Sequence, residues 1–175
     1  MNESKLISSG NKSTVEYGGI SRMELLNKLK MAGVLLNEFS NILFSSKLFK
    51  TSSEKRSITI IEISLKDLGF PVGATLSEIR ERTKEYGLSD CPLEVGPYLR
   101  LKYVNQEEVL EDSLERKNHT PPGCLTIFSK PLLNDDEFPK GFYLRKMDGK
   151  LWIRGYRCTM DFVWDPNDKF IFKIN

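Results

Sequence analysis

Apolar and polar positions alternate most cleanly over residues 141–156, GFYLRKMDGKLWIRGY, where two apolar-rich runs flank Asp148-Gly149. Asp-Gly between alternating runs predicts a hairpin closed by a two-residue turn of the primed type, which needs positive φ at both central positions. Pairing Met147 with Lys150 and counting outward sends Phe142, Leu144, Leu151 and Ile153 to one face of the hairpin. Tyr143, Arg145, Trp152 and Arg154 then share the other, because strand side chains alternate at period two. The first set reads as core and the second as a cationic, aromatic outer face, which Tyr156 extends if the strand runs past Gly155.

The same patterning places the other elements. Ser21 and Glu24 stand at capping-box spacing, and Leu25, Leu26, Leu29 and Ala32 follow at helical spacing before Gly33. A second helical run over residues 37–46 has Leu36, Phe39, Ile42 and Leu43 on one side, so the two are expected to form a helical hairpin docked on a sheet. Residues 57–64, SITIIEIS, are β-branched and apolar on both faces, as a central strand would be. Thr75 and Glu78 repeat the capping box, Leu76, Ile79, Thr83 and Tyr86 line one side, and Gly87 supplies a stop, giving a third helix. The prolines of residues 91–97, CPLEVGP, make a shaped connector.

Residues 98–103 alternate, Leu99, Leu101 and Tyr103 against Tyr98, Arg100 and Lys102, and predict a strand whose outer residues Tyr98 and Arg100 extend the cationic face. A strand over residues 123–129 and a last one over 169–174, after the turn chemistry of Asp165-Pro166-Asn167-Asp168, complete the set. Residues 1–19 lack apolar periodicity and read as a mobile tail. Residues 20–175 read as one domain with an acidic loop insertion near 104–120, through which Val109, Leu110 and Leu114 could carry a short helix. The fold class expected is α+β: an N-terminal helical hairpin and one further helix packed on a largely antiparallel sheet of about five to six strands.

Charge changes this picture locally. The formal charge of the 175-residue chain is +2, too small for nucleic-acid or membrane binding by the whole molecule. Residues 138–160 nevertheless hold six Lys or Arg against one Asp, and residues 104–118 hold five acids against Arg116 and Lys117. No apolar window has the length of a membrane span. The opening residues lack a secretory pattern, and Cys91, Cys124 and Cys158 are odd in number without CxxC spacing. A cytoplasmic protein with three structural thiols is therefore expected, with signal-independent export as an effector left open.

Candidate chemistry is sparse. His119, the one histidine, sits in a polar loop where a solvated side chain is the simpler reading than a nucleophilic catalytic pair. Asp161, Asp165 and Asp168 lack the glycine and distal glutamate of a calcium loop, so turn chemistry accounts for them and no metal is expected. Glu94, near Arg100, is the one carboxylate that a rigid connector could present as a general acid or base. The glycines form no phosphate-binding pattern, so no cofactor is expected.

Residues 68–88, the run 91–101 with Cys91-Pro92-Leu93-Glu94-Val95-Gly96-Pro97 and Leu99-Arg100-Leu101, and residues 141–164 are similar to those of small bacterial proteins without assigned activity. The resemblance spans roughly residues 21–172, implies a bacterial, cytosol-made protein, and transfers no catalytic residue. The function expected is a non-catalytic binding module that recognises a protein or peptide through Tyr143, Arg145, Trp152, Arg154, Tyr98 and Arg100, since arginine and aromatic residues dominate interface cores. The alternatives are a small hydrolase-like enzyme with a cleft near residues 91–100, a single-stranded nucleic-acid binder, and an immunity or effector protein whose acidic segment meets a basic target.

Overall fold

The computed structural model describes residues 10–108, 120, 121 and 123–175. In chain order the elements are β1 (Asn11–Tyr17), α1 (Arg22–Met31), β2 (Leu35–Leu36), α2 (Glu38–Ser45), β3 (Arg56–Ser64) and α3 (Leu76–Glu85). They continue with β4 (Leu88–Ser89), α4 (Val95–Lys102), β5 (Leu125–Ile127), β6 (Gly141–Met147), β7 (Lys150–Tyr156) and β8 (Lys169–Ile174). All eight strands among the described residues join one mixed sheet in the order β1-β3-β8-β5-β6-β7-β2, with β4 pairing the far end of β8. Two neighbour pairs, β2 with β7 and β5 with β8, are parallel; the others are antiparallel.

Local chemistry starts α1, α2 and α3 where the sequence places them. Ser21 and Glu24 close a capping box at α1 and Thr75 and Glu78 close another at α3, each satisfying backbone donors that a first turn leaves free. Asn37 caps α2 by accepting from the Ser40 N–H at 2.9 Å.

The sheet separates two cores. On one face Leu29, Leu43, Phe44, Val95 and Leu99 from the helices meet Val15, Phe142, Leu144 and Ile153 from the strands. On the other, Ile79 of α3 and Tyr86, which follows that helix, meet Ile61, Ile63, Phe128, Trp164, Phe170 and Phe172. Strand β3 serves both, Ile58 and Ile60 to the first and Ile61 and Ile63 to the second, as its two-sided apolar pattern requires.

Three expectations are corrected. The sheet is mixed and eight-stranded, not a largely antiparallel sheet of five to six strands, because the short β2 and β4 and the N-terminal β1 add to it. The N-terminal helical hairpin is absent: the link between α1 and α2 contains β2, which pairs in parallel with Trp152 and Ile153 of β7. Residues 11–17, read as part of a mobile tail, form an edge strand held in register by β3 from Asn11↔Glu62 to Tyr17↔Arg56. Among the described residues no helix is long and apolar enough to cross a membrane.

Candidate binding face

The hairpin register is the one the sequence dictates: Tyr143 opposes Arg154, Arg145 opposes Trp152 and Met147 opposes Lys150. Asp148 and Gly149 have φ of 52° and 70°, the paired positive values of the primed turn. Glu108 clamps that turn, its carboxylate accepting from the backbone N–H groups of Asp148 and Gly149. The start of the acidic segment therefore meets the tip of the cationic hairpin within the chain. Residues 109–119, including His119 and the helix expected through Val109, Leu110 and Leu114, lie outside the described residues.

Phe142, Leu144 and Ile153 are fully buried in the helix-covered core, and Tyr143, Arg145, Trp152 and Arg154 take the opposite face. On that face Arg154 stacks as a cation, its guanidinium carbon 5.4 Å from the Trp152 ring centroid and 5.9 Å from that of Tyr143. Such contacts are worth about 0.5–2 kcal/mol according to exposure. Arg145 lies deeper, at 8% exposure, while the other three are half-buried. Arg154 Nε and the indole N–H of Trp152 are shielded from water and have no hydrogen-bond partner among the described residues.

Tyr98 and Arg100 do not join this face. Residues 95–102 are helical, and α4 packs against the opposite side of the sheet, where a Cβ on Gly96 would sit 3.1 Å from the Phe142 ring. The spacing of Val95 and Leu99 suits that helix as well as alternation suits a strand, and Pro97 is tolerated because it falls in the first turn. The Tyr98 hydroxyl donates to the Gly18 carbonyl at 3.2 Å. Arg100 is fully buried and donates to Gln106 Oε1 at 2.5 Å and to the Tyr103 carbonyl. Gln106 Nε2 in turn donates to the carbonyls of Gly123 and Leu144. Burial lowers the Arg100 pKa to about 10, yet Arg100 stays charged at neutral pH and, through Gln106, ties α4 to Gly123 and to Leu144 in the middle of β6.

A cleft of about 520 Å3 adjoins Tyr143, lined also by Tyr156, Phe162, Trp164, Thr126 and Arg157. Trp164 meets Tyr156 and Phe162 edge to face, each at 5.3 Å between centroids, and its buried indole N–H has no hydrogen-bond partner among the described residues. Tyr156 was legible as the next outward residue of β7. Phe162 and Trp164 were not, because they reach the sheet only when the connection to β8 folds back and Trp164 bridges to Ala74.

The other candidates resolve into structural roles. Both oxygens of Glu94 accept the Ser52 N–H, at 3.0 and 3.1 Å. Desolvation raises its pKa, opposed by that hydrogen bond and by Arg56. Burial pushes the Cys91 thiol up to about 12 and Cys158 up to about 11, so neither is a thiolate nucleophile at neutral pH. Asp165 accepts from the Asn167 backbone and Asp168 from Thr120 and the Asp165 backbone, which is turn chemistry. Among the described residues no group of three His, Cys, Asp or Glu could hold a metal ion.

No protein-family model matches the chain, and no curated protein or solved structure is significantly similar to it.

Proposed function

We propose that this protein is a non-catalytic binding module that recognises a protein or peptide partner on the face formed by Tyr143, Trp152 and Arg154, with Arg145 beneath them. The observation that carries this reading is one guanidinium within 6 Å of two aromatic rings, one of which, Tyr143, also lines an aromatic cleft. Rings stacked with arginine offer large contact area at low entropic cost, the composition of interface hot spots. The enzyme reading loses its main support, because Glu94 is hydrogen-bonded through both oxygens and Arg100 is committed elsewhere.

Peptides selected from a random library on the wild-type protein should bind Arg154→Ala and Trp152→Ala at least about tenfold more weakly, with unchanged circular dichroism. Unaltered peptide affinity in both variants would eliminate this face. Preference for an oligothymidylate over every selected peptide would assign the face to single-stranded nucleic acid instead.

A further inference from the structure

A second cavity of about 530 Å3 shares Cys158 and Thr159 with the aromatic cleft but differs in character. Its charged lining consists of Arg80, Asp90, Lys130 and Lys140, and its apolar lining includes Leu133 and Met160. Arg80 is already answered: Nη1 lies 2.5 Å from both Asp90 oxygens, and its guanidinium carbon sits 4.8 Å from the Phe128 ring centroid. Lys140 is buried at 5% exposure, with Nζ donating to Asp136 Oδ1 at 2.9 Å and to the Asp135 carbonyl at 3.0 Å. An ammonium has three N–H donors, so among the described residues one of Lys140's has no partner. Lys130 is exposed and forms no ion pair among the described residues. With Arg80 offset by Asp90 and Lys140 by Asp136, the cavity is left, among the described residues, with one unopposed positive charge and one open buried donor.

The apolar side points to the rest of the ligand. Met160 is 71% exposed and Leu133 39% exposed, so both leave hydrocarbon in water beside these lysines. A cavity of this size falls in the range of small-molecule sites. We propose that it binds a small aliphatic carboxylate, with the anionic head between Lys130 and Lys140 and the hydrocarbon chain against Leu133 and Met160. A dianion fits less well, because only one positive charge is unopposed and Asp90 lines the same space. The inference does not depend on the hairpin face: none of Trp152, Arg154 or Arg145 lines this cavity.

Isothermal titration of the full chain with octanoate tests it, with octanol as the tail alone and acetate as the head alone. Octanoate should bind at low millimolar or better, and octanol and acetate each at least about tenfold more weakly. Lys130→Glu and Met160→Asp, both at exposed positions, should each weaken octanoate about tenfold or more with circular dichroism unchanged, while Arg154→Ala leaves its affinity as in wild type. Equal affinity for octanoate and octanol would overturn the assignment. So would no heat at about 10 mM octanoate, or a Lys130→Glu protein that binds octanoate like wild type.

Discussion

Gly155 has no room for a methyl group: a Cβ there would lie 2.6 Å from the carbonyl carbon of Phe39 and 2.7 Å from the Ser40 nitrogen. The start of α2 can sit directly on β7 only because that position is bare. Asn37 uses the close approach three ways. Its Oδ1 accepts from the Ser40 N–H as a helix cap and from the Gly155 N–H at 2.8 Å, while Nδ2 donates to the Gly155 carbonyl at 3.0 Å. One side chain thus stands in for a neighbouring strand at Gly155, beyond the two residues of β2. Asn37→Ala removes the cap and strands both Gly155 groups, and should lower unfolding free energy by about 2–3 kcal/mol in urea titration. A loss below about 0.5 kcal/mol would show that water replaces the amide. The sequence placed Asn37 inside the helical run over residues 37–46, and neither its capping role nor its pairing with a glycine 118 positions away was read from it.

At the scale of elements, the hairpin and α4 mark the two outcomes of reading a pattern. The β6–β7 register follows from local rules, since a two-residue turn fixes pairing and period two then fixes every face. Gly149 at φ 70° has open space where a Cβ would go, so the cost of Gly149→Ala is backbone conformation alone, about 1–2 kcal/mol. Its thermal midpoint should fall accordingly while the face still binds selected peptides; loss of the fold would mean that the turn governs more than the hairpin. For residues 95–102 the local rules conflict. Alternation of Leu99, Leu101 and Tyr103 favours a strand and the i, i+4 pair Val95 and Leu99 favours a helix. The Phe142 ring lies against Gly96, and helical packing on that ring settles the conflict. Tyr98 and Arg100 consequently turn to the helix-covered side, and the candidate face shrinks to the hairpin and the residues that close over it.

Across the whole molecule, burial of Glu94 beneath the link from α2 to β3 couples stability to pH. Its folded pKa is raised by desolvation, so the folded state holds a proton that the unfolded chain releases near the ordinary glutamate value. The stability it contributes is complete below the unfolded pKa and declines as pH rises through the folded one. Glu94→Gln removes this dependence while leaving an oxygen for the Ser52 N–H. Relative to wild type, the variant should therefore gain stability as pH rises from about 4.5 upward, measured as the difference in urea midpoints across a pH series. A flat difference, or one of opposite sign, would show that the Ser52 hydrogen bond outweighs desolvation.

The sequence by itself determined what nearest neighbours and short periods control. The caps of α1 and α3, the two-sided strand β3, and the turn and register of β6–β7 each rest on interactions within a few residues, or on an alternation that one turn propagates. Only the tertiary structure decided what depends on distant segments meeting. Residues 11–17 become an edge strand because β3 offers unpaired backbone groups, and β5 runs parallel to β8 because the chain crosses over between them. The aromatic cleft and the lysine-lined cavity arise where the connection from β7 to β8 folds back beside the sheet. Such closures are bought with loop entropy and repaid by burial over the whole core, so no short window of residues contains them.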